Sequence, residues 1–371
     1  MSYLGENIPK FGFGLMRLPQ KNGKIDLEQT REMVDLFLDA GFTYFDTAPA
    51  YGESEKAIGE ALVKRHPREK FQLATKLAAW LGPKTAEEAK GFLKASLERT
   101  GAGYFDFYLL HNLGDERSTS FDRFGIWDFV AEQKEKGLIR HWGFSLHDKA
   151  EVLDEILTQH PEAEFVQLQI NYADWENSLI ESRKCYEVAR RHNKPIVIME
   201  PVKGGSLAKL PQTLMDIFHA VDPQASPASW ALRFAASLEG LITVLGGMSS
   251  VEQMRENLSF MKNFRTLDEK EQDAIRKVRE ALATLPQVPC TDCRYCVGSC
   301  PQKVVIPRIF AAMNIELMYN HHAGAKNCYS WETRNGGCAS ECIGCGKCET
   351  ICPQHIHIVD ELKKAAAKLE K

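Results

Sequence analysis

Charge of one sign is not in excess in this chain: 46 Lys and Arg stand against 50 Asp and Glu, a formal net charge of −4. That balance gives no basic footprint for nucleic acid. No stretch reaches the ~18 consecutive apolar residues of a membrane-spanning helix, and Met1 to Leu15 lacks the charged start and apolar core of a secretory signal. The expected setting is therefore a reducing cytoplasm, with neither nucleic acid nor membrane as partner. A disulfide framework is not expected either, because 371 residues far exceed the small secreted domains that depend on one. Cysteine, however, is present in number: there are 11, and most lie near the C-terminus.

Eight of them form two runs of one spacing, Cys290-x2-Cys293-x2-Cys296-x3-Cys300-Pro301 and Cys342-x2-Cys345-x2-Cys348-x3-Cys352-Pro353. Soft thiolates so spaced suit a pair of 4Fe-4S clusters, each with four Cys ligands. In such runs the fourth Cys crosses over, which groups Cys290, Cys293, Cys296 and Cys352 about one cluster and Cys342, Cys345, Cys348 and Cys300 about the other. The protein is thus expected to handle single electrons. Structural zinc is the competing reading, since CxxC pairs bind zinc too. Zinc sites, however, draw four ligands from paired units, and a three-Cys run closed by a distant Cys-Pro is unusual among them. Of the remaining thiols, Cys185 lies in a helical pattern and reads as a small buried apolar residue; Cys328 and Cys338 carry no assignment.

Up to about Leu285 the chain alternates strand and helix. Short apolar, β-branched or aromatic runs recur at Phe11–Leu18, Tyr44–Pro49, Phe71–Leu77, Phe105–His111, His141–Leu146, Phe165–Asn171, Pro195–Pro201 and Leu241–Gly246. Between them lie helical patterns: Leu27–Ala40, Glu55–Arg65, Ala86–Thr100, Lys149–Thr158, Ser182–His192, Pro227–Ser237 and Val251–Lys262. Eight β-α repeats at this length predict an α/β fold, the (β/α)8 TIM barrel, over residues 1–285. Asp268–Leu285 reads as an additional amphipathic helix, and Pro286 and Pro289 mark the boundary. Residues 286–371 then form a second, small and mainly helical iron-sulfur domain. Its helices are expected at Arg308–Tyr319 and Glu361–Lys371, with a helix and a loop held in the 41 residues between Cys300 and Cys342. It resembles the α-helical ferredoxin domain more than the compact β-α-β ferredoxin.

Active sites on a TIM barrel lie at the C-terminal ends of the strands. Four titratable residues stand there: Asp46 in Phe45-Asp46-Thr47-Ala48, Tyr51 just beyond it, Lys76 in Ala74-Thr75-Lys76, and His111 in Leu110-His111-Asn112. A phenol titrates near ~10 in water, and an adjacent ammonium stabilises the phenolate, so Tyr51 beside Lys76 makes a usable acid. Asp46 would hold Lys76 in place, and His111 would orient a substrate carbonyl. Arg17 and Lys203 follow the first and seventh strands; either could clamp a carboxylate or phosphate, although a solvated or paired cation is the plainer expectation. Trp80, Trp127 and Trp175 lie in or near loops after strands three, four and six and could wall a pocket, at least one of them serving only as packing.

In these residues the chain resembles the aldo-keto reductases. The match runs from Phe13-Gly14-Leu15-Met16 through Phe45-Asp46-Thr47-Ala48-x-x-Tyr51-Gly52-x-Ser54-Glu55, the Lys76 and His111 strand ends, and Gly246-Gly247-Met248-Ser249-Ser250-x-Glu252-Gln253-x-x-Glu256-Asn257. The resemblance implies a catalytic tetrad of Asp46, Tyr51, Lys76 and His111, with hydride passed between NAD or NADP and a small carbonyl or alcohol. It also implies carboxamide contacts from Ser145 and Gln169, a nicotinamide packed on Met199, and an adenosine end held by Gly247, Ser249, Gln253 and Asn257. Leu146 stands where many members have Asn, and Gly247 and Gln253 stand where many NADPH-selective members have Lys and Arg.

The two halves together predict an oxidoreductase whose clusters exchange electrons with a carrier such as ferredoxin. Because nicotinamide moves two electrons and a cluster one, a flavin in the barrel is an alternative cofactor. In a further alternative the clusters are a structural or redox-sensing module on an ordinary carbonyl reductase.

Overall fold

The computed structural model of the protein describes residues 3–178, 180–319 and 321–370. Its chain packs into two compact units, one of Met1–Pro201 with Ala228–Leu267, the other of Val202–Pro227 with Asp268–Lys371.

The first unit holds eight parallel strands: β1 (Phe11–Gly14), β2 (Tyr44–Asp46), β3 (Gln72–Leu77), β4 (Phe105–Leu113), β5 (Ile139–Leu146), β6 (Val166–Gln169), β7 (Ile196–Met199) and β8 (Leu241–Gly247). Each pairs with its sequence neighbour, and β1 pairs with both β2 and β8, so the sheet closes into a barrel. The strands read as near-continuous apolar runs because both faces are covered. Side chains alternate along a strand with a period of two, and bulky residues from alternate strands fill the barrel in layers. Tyr44, Phe107, Phe165 and Ile242, drawn from β2, β4, the entry to β6, and β8, belong to one buried cluster. Within it the Phe107 ring centroid lies 5.1 Å from that of Tyr44 and 5.3 Å from that of Phe165. Leu4 and Ile8 pack against this cluster.

Helices follow the strands as the periodicity predicts, with three differences. The segment expected as one helix from Glu55 is an α-helix over Ser54–Ile58 that widens into a π turn over Gly59–Val63. Two helices, Asp115–Arg123 and Ile126–Glu135, connect β4 to β5 where none was predicted. The first is almost wholly polar, so it carries little apolar periodicity to read. A short helix over Gln212–His219, in the second unit, was also unforeseen. The predicted additional helix is present over Glu269–Thr284, its start fixed by a reciprocal Asp268–Glu271 capping box.

The second unit is mainly helical among the described residues, with helices Ile306–Tyr319, His322–Thr333 and Ile358–Leu369 and one isolated parallel bridge, Val304 to Gly337. Lys371, the expected last helical residue, lies outside the described residues. Two helices, rather than one helix and a loop, occupy the stretch between the cysteine runs. The Tyr329 hydroxyl ties this unit together: it accepts from the Ala339 N–H at 2.8 Å and donates to the Glu370 carboxylate. The backbone repeats with a step of 52 positions, Cys290 to Cys342. Left-handed φ values at Asp292 (50°), Arg294 (67°) and Lys303 (53°) recur at Gly344 (70°), Gly346 (71°) and His355 (50°). Asp292 and Arg294 in the first run, and Lys303 just beyond it, thus hold a conformation that costs L-residues energy.

Candidate functional site

The two-residue period of the strands places the predicted residues. Asp46 stands two beyond Tyr44 on β2, Lys76 two beyond Ala74 on β3, and His111 two beyond Leu109 on β4. Each therefore points the same way as a member of the interior cluster, one step nearer the C-terminal end. Lys76 Nζ donates to Asp46 Oδ1 at 2.6 Å and to the Thr47 carbonyl at 2.8 Å. The two charged side chains are only 1% and 3% exposed. Burial raises the Asp46 pKa and lowers that of Lys76, and in each case the partner's charge opposes the shift. Lys76 Nζ also sits 4.8 Å from the centre of the Tyr51 ring. The His111 ring stands edge-on to Tyr51, centroids 6.0 Å apart, and meets the Trp80 ring at 5.5 Å. Burial first, then the charges of Lys76 and His147, push the His111 pKa well below 6.5, so its imidazole is neutral. The structure thus brings all four together.

The loop that carries Tyr51 is fixed from below. Tyr51 N–H donates to the Ala48 carbonyl, and Ser54 Oγ, donating to the Leu15 carbonyl at 2.9 Å, is also 2.8 Å from Thr47 Oγ1. The buried Glu55 carboxylate accepts from Thr75 Oγ1 at 2.7 Å and from Arg99 Nε at 2.6 Å. The sequence reading included Ser54 and Glu55 in a motif but gave neither a task. Arg99 and Thr75 it missed, since nothing local signals a partner 44 residues away.

The predicted cofactor residues fall on four strand ends and on the loop and helix after β8. Ser145 is buried at the end of β5 and its hydroxyl accepts from the Asn112 N–H at 2.8 Å. Asn112, unremarked in the sequence, takes a left-handed φ of 61°, and its Oδ1 is buried with no donor among the described residues. That acceptor beside Ser145 fits an amide-bearing ring such as nicotinamide. Gln169 at the end of β6 donates to Asp174 Oδ2 at 2.9 Å and lies 3.3 Å from His147 Nδ1. Met199 ends β7, half-buried. Gly247 ends β8 with the aliphatic part of Arg17 beside it. Ser250 caps the helix Val251–Met261, and the Gln253 side chain accepts from the exposed Ser249 N–H at 2.7 Å. Asn257, one turn on, is buried.

Of the other candidates, Lys203, expected to be a solvated or paired cation, is not solvated: it is 6% exposed and has a φ of 47°. Trp127 is packing, stacked on His160 at 3.6 Å, and Trp175 packs edge-on against Phe234. Cys185 is buried as expected.

In the second unit the eight run cysteines line two small pockets, four to each. Cys300, Cys342, Cys345 and Cys348 border one; Cys290, Cys293, Cys296 and Cys352 border the other; Ile306 borders both. None of the cysteines is in a disulfide. Burial, with the Glu349 charge and then the neighbouring thiols, pushes the Cys348 pKa up to about 11, and burial with neighbouring thiols raises that of Cys296. A cationic centre between four such sulfurs would favour their thiolates.

The family model described as "Aldo/keto reductase family" matches residues 10–280, and one described as "4Fe-4S dicluster domain" matches residues 289–357. An aldo-keto reductase of Mycolicibacterium vanbaalenii is 30% identical over 253 residues, spanning 68% of this chain and 82% of its own length. The solved structure of aldo-keto reductase AKR11C1 from Bacillus halodurans, in its holo form, superposes with a TM-score of 0.61 at 24% identity, covering 75% of this chain and 95% of that one. An aldo/keto reductase from Klebsiella pneumoniae, solved with NADP and acetate, gives a TM-score of 0.60 at 19% identity over 73% and 92% of the two chains. At these identities the structural likeness is one of fold.

Proposed function

The chain belongs to the aldo/keto reductase family and carries a 4Fe-4S dicluster domain, and on that premise we propose that it interconverts a carbonyl and an alcohol through Tyr51. The observation that carries this is the buried Lys76–Asp46 pair set 2.6 Å apart beside the Tyr51 ring. Tyr51 gives its hydroxyl proton to the carbonyl oxygen as the carbonyl carbon gains hydride, and takes the proton back in the reverse direction. The Lys76 ammonium stabilises the phenolate so formed, and Asp46 keeps that ammonium charged and aimed. His111, neutral, donates an N–H to the same oxygen and fixes its direction. Trp80 walls the pocket behind His111.

A bound NADP or NAD supplies the hydride. Ser145 and Gln169, with Asn112 Oδ1, would hold its carboxamide, Met199 would pack on the ring, and Gly247, Ser249, Gln253 and Asn257 would hold the adenosine end at a helix start that favours phosphate. The NADP in the Klebsiella pneumoniae relative is in keeping with this assignment.

The two cysteine cavities fit 4Fe-4S clusters, the first on Cys290, Cys293, Cys296 and Cys352, the second on Cys342, Cys345, Cys348 and Cys300. A three-Cys run closed by a distant Cys-Pro favours a polynuclear group over zinc. Such clusters supply one-electron chemistry. Residues 286–371 would then serve as an electron-transfer domain for the 1–285 barrel, with a soluble carrier of the ferredoxin kind as partner.

Purification without oxygen, followed by iron and sulfide analysis and release of the organic cofactor, tests this. About eight irons per chain, bound NADP or NAD, and cluster electron exchange with a viologen that vanishes in Cys293→Ala and Cys345→Ala are expected. Zinc in place of iron, or a released flavin, would overturn the assignment. Hydride transfer that persists unchanged without clusters, with no viologen turnover, would make them structural or sensing groups.

A further inference from the structure

The segment after β7 belongs to the same compact unit as the cysteine loops. It turns sharply: Lys203, Gly204 and Gly205 follow one another at φ 47°, 65° and 99°, and Val202 O accepts from the N–H groups of both Gly205 and Leu207. Lys203 and Leu207 are buried within this turn. Gly204 lies directly on the backbone of Thr291, the residue after Cys290. A Cβ at Gly204 would stand 2.2 Å from Thr291 O, 2.7 Å from its carbonyl carbon and 2.8 Å from its Cα. No rotamer relieves such a clash, because every atom met is main chain.

The other cysteine run has no such cover. By the 52-residue step, Thr291 corresponds to Ile343, yet Thr291 is buried at 1% exposure and Ile343 is 62% exposed. Cys293 is partly covered, whereas its counterpart Cys345 is exposed. Solvent exposure and hydrogen bonds to sulfur set a cluster's reduction potential, and desolvation disfavours the more negative, reduced state.

We propose that Gly204 is a positioning residue for the cluster on Cys290, Cys293, Cys296 and Cys352: it seats the segment after β7 on Thr291, and so makes this cluster the covered, lower-potential one of the pair. The inference rests on the reading that both cavities hold 4Fe-4S clusters. Gly205 supplies the control, because it has the higher φ of the two glycines but a Cβ there meets nothing within 4 Å. Gly205→Ala incurs the left-handed strain alone, while Gly204→Ala adds the collision with Thr291.

The test is an EPR-monitored redox titration of the unaltered protein, Gly204→Ala and Gly205→Ala, each purified without oxygen. Two separate potentials are expected in the unaltered protein. In Gly204→Ala the lower one moves up or its signal is lost, with the other unmoved; Gly205→Ala keeps both. Gly204→Ala that changes both signals or neither, or that behaves as Gly205→Ala does, overturns the proposal. Should Gly204→Ala not fold, hydrogen exchange on the unaltered protein decides. Amides of residues 202–208 must slow at least about tenfold when clusters are rebuilt into the iron-free protein, while those of the helix Val251–Met261 do not; no slowing at 202–208 overturns it. An unaltered protein without iron would instead remove the underlying cluster reading.

Discussion

Removing the charges of Asp46 and Lys76 one at a time, and then together, separates what that pair does for folding from what it does for the reaction. Both side chains are at least 97% buried and meet at 2.6 Å. In Lys76→Met the Asp46 carboxylate is left without a cation in a place that already raises its pKa, and breaking a buried pair in this way costs about 3–5 kcal/mol. Asp46→Asn keeps an oxygen for the ammonium to donate to, so its loss falls near the lower end, about 3 kcal/mol. The double variant Asp46→Asn, Lys76→Met buries no net charge and nearly the original volume; its stability is expected within about 1–2 kcal/mol of the parent. Activity behaves differently. On the proposed role of Tyr51, loss of the Lys76 cation removes the charge that would stabilise its phenolate, and kcat for carbonyl reduction is expected to fall by about 10² to 10⁴ in Lys76→Met and equally in the double variant. Urea midpoints followed by tryptophan fluorescence, with nicotinamide oxidation for kcat, read both quantities. A double variant no more stable than either single one would refute the buried-pair account, and a Lys76→Met enzyme within about threefold of the parent kcat would refute the role of Lys76 in the proton transfer.

His111 gives a pH signature. Its folded pKa lies well below the unfolded value of 6.5, so the unfolded chain binds the proton first. Its contribution is intact above 6.5 and is lost as the pH falls below that value, by up to about 1.4 kcal/mol per pH unit until the folded pKa is passed; urea midpoints across that range should show a flatter acid limb in His111→Phe, and an identical limb would contradict the assignment. Ser145→Ala leaves the buried Asn112 N–H without its acceptor, a loss of about 1–3 kcal/mol, and is expected to raise KM for the nicotinamide severalfold with kcat little changed; an unchanged KM would remove Ser145 from the cofactor site. Glu55→Gln keeps the Thr75 bond but leaves Arg99 without its carboxylate, which should destabilise by about 1–3 kcal/mol and raise KM for the carbonyl through a looser Tyr51 loop; a thermal melt and steady-state kinetics check both.

Much of this was legible along the chain because it is local or periodic. Eight apolar runs between helical patterns carry the barrel, and strand-end position alone singles out Asp46, Lys76 and His111. The closing β1–β8 pair follows from the eight-fold repeat and needs no contact information. What escaped is what depends on distance through space. The helix Asp115–Arg123 has too few apolar residues to show a period, and its place is set by packing. Glu55 reads as one more surface acid until Arg99 and Thr75 are found around it. Asn112 looks like a loop residue after His111, and only its φ of 61° shows that the chain turns there to offer its N–H to Ser145. Lys203 read as a solvated or paired cation; which of the two it is depends on a turn of three left-handed residues in which it is buried.

The cysteine runs show how equal spacing leads to unequal surroundings. The two stretches have the same ligand intervals and the same left-handed positions, so each backbone can wrap the same group in the same way. Their flanking residues break the equivalence. At the first position after the opening Cys, one run has Thr291, a residue with a hydroxyl, at 1% exposure; the other has Ile343, wholly apolar, at 62%. Burial by polarity alone would have placed them the other way round. The reversal has a tertiary cause in the first run, where Gly204 comes close enough to Thr291 O that no larger residue could stand there. Two runs of one cysteine spacing thus differ in cover where a glycine 86 residues upstream of Cys290 meets Thr291, a relation that no inspection of the runs themselves would disclose.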